Sequence, residues 1–257
     1  MFCGAQYVPV KSPERSPDNR FIYLSDILPT SWQAVEYANV PDGGSATVFG
    51  LGPIGQMTPR RARHRGFRVI AVDLVPECPE MTLKHGIEVL DLQDHDDILE
   101  TTCEMPDKRS TNSLIHAVGM EARGSPGAKL GQQIAGLLPD SISQYLMKEA
   151  RADRLNAFYL VTDTVRRGGT ISLSGGYGGM AHPLPLLHVF DKQIQLSMDL
   201  ANVWRWVEGI MPLVTDDAYP FSTENSARHH LPLDQAPHGY EIFQKKQDDA
   251  NKILLQP

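Results

Sequence analysis

Three features of the sequence predict an α/β fold in which helices cover both faces of a doubly wound parallel sheet. Strand-like runs rich in β-branched residues alternate with helix-like segments along most of the chain, an order typical of parallel sheets. A glycine-rich turn, Gly-Leu-Gly-Pro-Ile-Gly at residues 50–55, follows the first strand-like run and begins a helix. An acidic residue, Asp73, ends the next strand-like run.

The chain before that turn is predicted to contain an extended segment and one helix. Residues 1–22 include several prolines and polar side chains, a composition that favours an extended lead-in. Residues 24–39 predict a turn followed by a helix with several apolar positions. The Pro-Asp-Gly-Gly sequence at residues 41–44 ends this helix.

The remaining elements are predicted from apolar runs and the breaker residues between them. Strands are expected at residues 46–49, 69–72, 87–90, 114–118 and 170–173. Helices are expected at residues 55–65, 94–104, 154–166, 203–214 and 233–245. A late strand at residues 193–198 is expected at a sheet edge, and residues 252–255 are expected to form a closing strand.

One stretch interrupts the alternation of strands and helices. Residues 119–153 are far longer than an ordinary loop, and they contain helix-like segments at 131–138 and 141–148. We interpret this stretch as an insertion beside the carboxyl edge of the sheet. Such folds bind their ligands at that edge.

Composition excludes several classes of function. The net charge of −7 over 257 residues argues against nucleic acid as the main partner. The cysteines, Cys3, Cys78 and Cys103, form no Cys-x-x-Cys pair, so neither a disulfide framework nor an all-cysteine zinc site is expected. The sequence has no eighteen-residue apolar run and no basic-then-apolar leader. We therefore expect a soluble, cytoplasmic protein without a membrane partner.

The glycine turn and Asp73 together predict a dinucleotide site. Gly50 permits the tight turn after the strand, Gly52 leaves room for a pyrophosphate, and Gly55 lets the helix pack closely on the sheet. The N-terminus of that helix attracts phosphate. Asp73 is expected to accept hydrogen bonds from the adenosine ribose and to repel a 2′-phosphate, which favours NAD over NADP. The alternatives are a structural glycine turn and a surface aspartate that ends a strand.

The helix after the glycine turn has two unusual features. Pro59 lies about one turn inside it and removes a backbone hydrogen bond to Gly55, which predicts a bend. Five basic residues follow, and we expect them to form a solvated face near the helix C-terminus, where the helix dipole favours positive charge. These residues are Arg60, Arg61, Arg63, His64 and Arg65.

Several motifs occur in an order typical of one enzyme family. They are Leu-Ser-Asp-Ile-Leu-Pro-Thr at residues 24–30, the glycine turn, Ala-Val-Gly-Met-Glu-Ala at 117–122, Arg-Arg-Gly-Gly-Thr at 166–170 and Asn-Lys-Ile-Leu at 251–254. Through these motifs residues 20–257 resemble the zinc-dependent medium-chain alcohol dehydrogenases, most closely the glutathione-independent formaldehyde dehydrogenase branch. The resemblance implies a Rossmann-type sheet that binds NAD and an insertion that covers the bound cofactor.

The resemblance also implies roles for individual residues. Those implied to bind NAD are the glycine turn at the pyrophosphate, one acid at the ribose, a group beside the nicotinamide and a lysine near the cofactor phosphate. By number they are Gly50, Gly52, Pro53, Ile54 and Gly55, then Asp73, then Val118, Ser174, Gly175 and Gly176, and finally Lys252. Ordinary core packing of Val118 and simple solvent exposure of Lys252 are the alternatives.

A metal site is implied only in part. Relatives bind a catalytic zinc through a cysteine and a histidine of a domain that precedes the NAD-binding domain, and through a third residue that corresponds to Asp26. That preceding domain has no counterpart here, so we expect the chain to be truncated at its N-terminus. Residues 1–22 would be an extended remnant of it, residues 23–245 the NAD-binding domain and residues 246–257 the closing strand. His116 stands where relatives usually have aspartate.

These observations leave competing functions. The resemblance favours an NAD-dependent alcohol or aldehyde dehydrogenase of the formaldehyde type. This chain would be its cofactor-binding half, inactive alone because one carboxylate cannot hold a catalytic zinc. The alternatives are a non-catalytic NAD(H)-binding module or a decaying gene product, and a Rossmann-type methyltransferase. The histidines at positions 182, 188, 229 and 230 are not spaced as metal ligands. Relatives associate through edge strands, so we expect a homo-oligomer formed through residues 193–198.

Overall fold

The computed structural model describes the greater part of the predicted NAD-binding domain. The described residues are 13, 18–73, 87–91, 111–118, 156–175, 184–198, 200–216, 218, 221, 227, 229–245 and 252–256. The helix predicted at 94–104 and the insertion predicted at 119–153 lie outside them. So do residues 1–12 and 14–17 of the predicted N-terminal remnant, together with Cys3, Cys78 and Cys103.

The main sheet in this part of the chain has six parallel strands. In chain order they are β1 Ser45–Phe49, β2 Arg68–Asp73, β3 Glu88–Asp91, β4 Ser113–His116, β5 Thr170–Leu173 and β6 Gln195–Met198. Their order in space is β3-β2-β1-β4-β5-β6. The chain therefore starts at the centre, runs to one edge and returns to the other side of β1. This is the doubly wound topology, and the predicted fold class is confirmed.

Helices precede, connect and follow the six strands of the main sheet. They are α1 Asp18–Phe21, α2 Ile27–Tyr37, α3 Pro53–His64, α4 Asn156–Thr164, α5 Leu186–Asp191, α6 Val203–Thr215 and α7 Ala236–Lys245. Short 3-10 turns at Ile22–Ser25 and Leu233–Gln235 precede α2 and α7. The predicted helices at 55–65, 154–166 and 203–214 therefore match α3, α4 and α6. None of the helices in the described ranges is long and apolar enough to cross a membrane.

A second, two-stranded parallel sheet lies near the C-terminus. It pairs β7 His229–Pro232 with β8 Ile253–Gln256. The expected closing strand is therefore present, and it pairs with β7, outside the main sheet. The sequence does not predict β7, because His-His-Leu-Pro lacks the β-branched and aromatic residues that mark a strand. Leu254 of β8 packs with Met57 of α3 and Ile210 of α6, which attaches the small sheet to the main domain.

Two apolar clusters cover the two faces of the main sheet. On one face Val48 of β1 packs with Val35 of α2 and Ala62 of α3. On the other face Phe49 of β1 packs with Phe158 of α4. Val48 and Phe49 point to opposite faces because successive strand residues alternate. Burial on both faces explains the continuous apolar run at residues 69–72 of β2.

Helix α3 is buried more completely than the sequence predicts. Arg60 and Arg61 are only 5% and 4% exposed, so the prediction of a solvated basic face is wrong for these two residues. The helix also continues through Pro59. The other basic residues of the group do lie at the surface, namely Arg63, His64 and Arg65.

The two buried guanidinium groups have specific partners. Arg60 donates a 2.6 Å hydrogen bond from Nη1 to the backbone carbonyl of Phe221. Arg61 forms a 2.8 Å ion pair with Glu36 of α2, and its guanidinium carbon lies 3.3 Å from the centroid of the Trp32 ring. Burial lowers the pKa of Arg61 to about 10, which leaves it charged at neutral pH. The contacts of Arg61 join α3 to α2, and the partners of both arginines offset the cost of burying a charge.

Candidate nucleotide site

The carboxyl ends of four neighbouring strands define one edge of the main sheet. Phe49 of β1 is paired with Val72 of β2 and with His116 of β4, and His116 is paired with Leu173 of β5. The residues that directly follow these four strands are therefore neighbours. Five of the predicted cofactor residues lie at this edge: Asp73 ends β2, Gly50 and Ser174 directly follow β1 and β5, and Val118 and Gly175 come second after β4 and β5. The order of the strands reverses between β1 and β4, which is where doubly wound sheets bind ligands.

Close packing explains two of the three glycines in the turn. Gly50 has a φ of +89°, and a Cβ atom placed on it would lie 2.4 Å from Cγ2 of Val118. A Cβ atom placed on Gly55 would lie 1.7 Å from the carbonyl oxygen of Gly50. Gly50 is therefore favoured by its positive φ and by the close approach of the residues after β4, and Gly55 lets α3 pack directly on the backbone of the turn.

Gly52 is different, since its surroundings are open. A Cβ atom placed on Gly52 would meet no heavy atom of the described chain within 4 Å. Its φ of −64° is one that any residue adopts. Neither crowding nor backbone conformation therefore explains a glycine here. The open space can admit a bulky group that approaches the backbone, as the pyrophosphate predicted from the sequence would.

The first turn of α3 begins directly at this open space. Gly52 is the N-cap and Pro53 the first helical residue, and the first backbone bond of the helix runs from Gln56 N–H to the Gly52 carbonyl at 2.8 Å. The N–H groups of Ile54 and Gly55 belong to the turn whose donors have no partner within the helix. Such donors and the helix dipole favour a phosphate group at this position.

Asp73 lies beside the glycine turn and contacts it directly. Oδ2 of Asp73 accepts a hydrogen bond from the backbone N–H of Leu51. A carboxylate can accept about four hydrogen bonds, so this bond leaves the residue capable of binding ribose hydroxyls. The end of β2 is also held against the turn, because Gly50 N–H donates to the Val72 carbonyl at 2.9 Å.

The ends of β4 and β5 are joined through His116. Its backbone carbonyl accepts hydrogen bonds from Ser174 N–H at 3.0 Å and from Gly175 N–H at 3.2 Å. Its side chain is fully buried, and burial lowers the pKa of the imidazole to about 4. His116 is therefore neutral at physiological pH, whereas the aspartate that the family resemblance implies here would bring a negative charge. Val118 is half-buried and packs against the core below it.

Two predicted cofactor residues stand apart from this edge. Gly176 lies outside the described residues. Lys252 is half-buried and directly precedes β8, so it belongs to the small sheet. The roles of both residues remain predictions.

The described residues do not form a zinc site around Asp26. This exposed residue is the N-cap of α2, and its Oδ1 accepts a 2.9 Å hydrogen bond from the Thr30 hydroxyl. No three His, Cys, Asp or Glu side chains of the described part of the chain lie close enough to share a metal ion. A catalytic zinc needs three protein ligands, so this donor set does not fit one.

The histidines outside the sheet edge do not supply the missing ligands. His188 of α5 lies 3.0 Å from Asp163 of α4, in a half-exposed pair. His229 and His230 are consecutive residues of β7. Consecutive strand residues point to opposite faces, so these two side chains cannot bind the same ion.

One residue of the site is not predicted from the sequence. Gln56 is 1% exposed, and its side-chain Nε2 donates a 3.1 Å hydrogen bond to the Leu51 carbonyl inside the glycine turn. The only sequence signal is a polar residue directly after the third glycine, at a helix position that packs inward. That signal is weak, because a glutamine on a short helix is usually solvated.

The sequence matches curated dehydrogenases over nearly its whole length. An uncharacterized zinc-type alcohol dehydrogenase-like protein of Bacillus subtilis is 28% identical over 98% of this chain and 64% of its own length. A glutathione-independent formaldehyde dehydrogenase of the same organism is 25% identical over 91% of this chain and 54% of its own length. The chain thus spans somewhat more than half the length of these relatives. No protein-family model matches it.

Solved structures of alcohol dehydrogenases share the fold. The alcohol dehydrogenase TADH from Thermus sp. ATN1 has a TM-score of 0.75 at 24% identity, covering 96% of this chain and 61% of that one. An Escherichia coli CFT073 alcohol dehydrogenase solved with NADH has a TM-score of 0.71 at 13% identity, covering 96% and 62%.

The doubly wound sheet and the glycine turn define this chain as a domain with a Rossmann-type fold. More particularly, its sequence is similar to those of a zinc-type alcohol dehydrogenase-like protein and a formaldehyde dehydrogenase, which confirms the family resemblance seen in the sequence.

Proposed function

We propose that this chain binds NAD(H) and is the coenzyme-binding part of an alcohol or aldehyde dehydrogenase. The main support is the geometry of the glycine turn, in which two glycines are required by packing and the third faces open space. The turn lies where the strand order reverses. The relatives that are named dehydrogenases, and the NADH-bound structure with the same fold, agree with this proposal.

Each part of the cofactor has candidate partners at the sheet edge. Gly52 and the first turn of α3 would receive the pyrophosphate, and Asp73 the adenosine ribose. Val118, Ser174 and Gly175 end the strands where the nicotinamide would lie. Bound NAD supplies a nicotinamide ring that exchanges hydride with a substrate. The chain's own contribution is to hold and orient that ring.

NAD is the expected cofactor, in preference to NADP. The Asp73 carboxylate is held at the glycine turn by its bond to Leu51 N–H. Its charge would therefore lie close to any 2′-phosphate on the ribose. The carboxylate and a nearby 2′-phosphate, both negatively charged, would repel one another. A 2′-hydroxyl can instead donate a hydrogen bond to the carboxylate.

We further propose that the 257-residue chain binds NADH without oxidising an alcohol. Asp26 is the one position that the family resemblance assigns to the catalytic zinc, and no group of three possible ligands forms within the described residues. The substrate class, alcohol or aldehyde hydrate, is inferred from the relatives.

Calorimetry with the purified chain tests these proposals. We expect saturable binding of NADH, weaker binding of NADPH and no binding of S-adenosylmethionine. We expect no turnover of ethanol or formaldehyde with NAD and added Zn²⁺. Absence of NADH binding by the folded chain would overturn the cofactor assignment, and binding of S-adenosylmethionine would favour the methyltransferase alternative. Turnover would overturn the proposal that the chain is inactive alone.

We also propose that two copies of the chain associate through β6. This strand is an edge of the main sheet and pairs within the described chain only with β5. Its neighbourhood is apolar and exposed, since Leu187 and Phe190 of α5 are 81% and 82% exposed and Met198 of β6 is 59% exposed. A second copy related by a two-fold axis would continue the sheet by antiparallel pairing and would cover this patch.

A further inference from the structure

Each of the two peptide groups that flank the Cα atom of Leu51 is hydrogen-bonded to a polar side chain. The N–H of Leu51 donates to Asp73 at the end of β2. The carbonyl of Leu51 accepts a 3.1 Å hydrogen bond from Nε2 of Gln56, which lies in the first turns of α3. Leu51 itself is fully buried. The glycine turn is therefore fixed in place by two polar side chains from different elements.

These contacts determine where the next N–H group points. The Leu51 carbonyl and the Gly52 N–H belong to the same peptide, and a trans peptide directs the two groups in opposite directions. Because Gln56 holds the carbonyl toward the buried side, it turns the Gly52 N–H away from that side. No heavy atom of the described residues occupies the space beside the Cα of Gly52, so a ligand can approach there.

We propose that Gln56 is a positioning residue for the diphosphate of the bound cofactor, acting through the Leu51–Gly52 peptide. This inference rests on the proposed binding of NAD(H). Gln56 is 1% exposed and lies behind the turn, so it acts on the ligand without touching it. Without the hydrogen bond from Gln56 to the Leu51 carbonyl, the Leu51–Gly52 peptide could rotate in the free protein. Binding of the diphosphate would then have to order this peptide, which weakens the affinity.

Competition with NADH fluorescence tests the proposal with two probes. ADP carries the diphosphate and adenosine carries none, so the ratio of their inhibition constants isolates the contribution of the diphosphate. In the Gln56→Met variant, which keeps the length of the side chain and removes its donor, we expect the inhibition constant of ADP to rise about tenfold. The constant of adenosine should stay within about twofold of the wild-type value.

Gln33→Met is the matched control. Gln33 is also a buried glutamine, 4% exposed, and its Oε1 accepts hydrogen bonds from Asn202 N–H at 3.0 Å and from Trp206 Nε1–H at 2.9 Å. Its substitution should lower the melting temperature while leaving the ratio of the ADP and adenosine constants unchanged. A general loss of stability therefore does not imitate the effect predicted for Gln56.

The outcomes separate this inference from the proposed function. If wild-type protein does not bind NADH, the proposed function fails before any variant is compared. If it binds NADH and Gln56→Met leaves the ratio unchanged, or weakens ADP and adenosine equally, the role of Gln56 is overturned. Should Gln56→Met not fold, Gln56→Leu also removes the donor, and it should change the ratio in the same direction. Failure of both to fold would assign Gln56 to stability and overturn the inference.

Discussion

At the scale of single residues, the glycines of the turn have different physical reasons to be glycine. Gly55 is required because its backbone touches the Gly50 carbonyl, while Gly52 faces open space. Packing acts at Gly55 and the proposed ligand binding at Gly52, two positions three residues apart. Substitution to alanine distinguishes them, because one added methyl group meets backbone at Gly55 and nothing at Gly52.

We expect Gly55→Ala to destabilise the fold by more than about 2 kcal/mol, since overpacking against backbone cannot be relieved by a rotamer change. Gly52→Ala should change the free energy of unfolding by less than about 1 kcal/mol. It should nevertheless weaken NADH binding at least tenfold, because the methyl group enters the space for the pyrophosphate. Urea denaturation and calorimetry measure the two effects. Normal NADH affinity in Gly52→Ala would contradict the assignment of the open space.

His116 makes the stability of the fold depend on pH. Its folded-state pKa of about 4 is below the ordinary value of 6.5, so the unfolded chain takes up a proton where the folded chain does not. The contribution of neutral His116 to the free energy of unfolding is fully present above pH 6.5. It is lost as the pH falls toward 4, and the loss amounts to about 3 kcal/mol. His116→Asn should flatten the fall in unfolding free energy over this range, whereas His230→Asn, at an exposed position, should not. Equal pH profiles for wild type and His116→Asn would refute this account.

At the scale of elements, helix α3 shows what the sequence could and could not predict. Its start at the glycine turn and its approximate length were predictable, because glycine, proline and helix-end signals are local. The burial of Arg60 and Arg61 was not, because it depends on Phe221, Glu36 and Trp32, which are distant in the sequence. The orientation of Gln56 toward Leu51 was likewise unpredictable, since it depends on how the turn folds back. Strand β7 lacked any local signal and forms by pairing with β8.

The α2–α3 interface provides a test at this scale. Arg61→Met removes the ion pair with Glu36 and the guanidinium stacked on Trp32, and it leaves Glu36 with Arg65 as its remaining ion-pair partner. We expect a loss of about 2–4 kcal/mol in the free energy of unfolding. The matched change Arg63→Met, at an exposed position of the same helix, should cost less than about 0.5 kcal/mol. Similar losses in the two variants would show that the buried contacts contribute little.

At the scale of the whole molecule, an exposed apolar patch at one edge of the main sheet supports the proposed dimer. Leu187, Phe190 and Met198 are exposed within a short segment around β6. Large exposed apolar patches usually mark interaction surfaces. Among the described strands β6 pairs only with β5, and an edge strand of this kind offers backbone groups for further pairing at the same surface.

Sedimentation velocity should find the wild-type chain as a dimer. Met198→Lys should shift it toward the monomer, because a lysine on an edge strand opposes strand pairing. Leu233→Lys changes a residue that is also exposed, at 58%, but lies beside the small sheet. That control should remain a dimer. A monomeric wild-type protein, or a dimer that survives Met198→Lys, would rule out association through β6.

The central position of β1 has a consequence for synthesis of the chain on the ribosome. β1 pairs with β2 on one side, through residues that end at Asp73, and with β4 on the other, through residues that begin at Ser113. At about 5–20 residues per second, β4 emerges about 2–8 s after β2 is complete. For that time the future centre of the sheet is an open edge of the nascent chain. The interval is long compared with hairpin formation, so the speed of translation between codons 74 and 112 sets how long β1 is exposed to wrong partners.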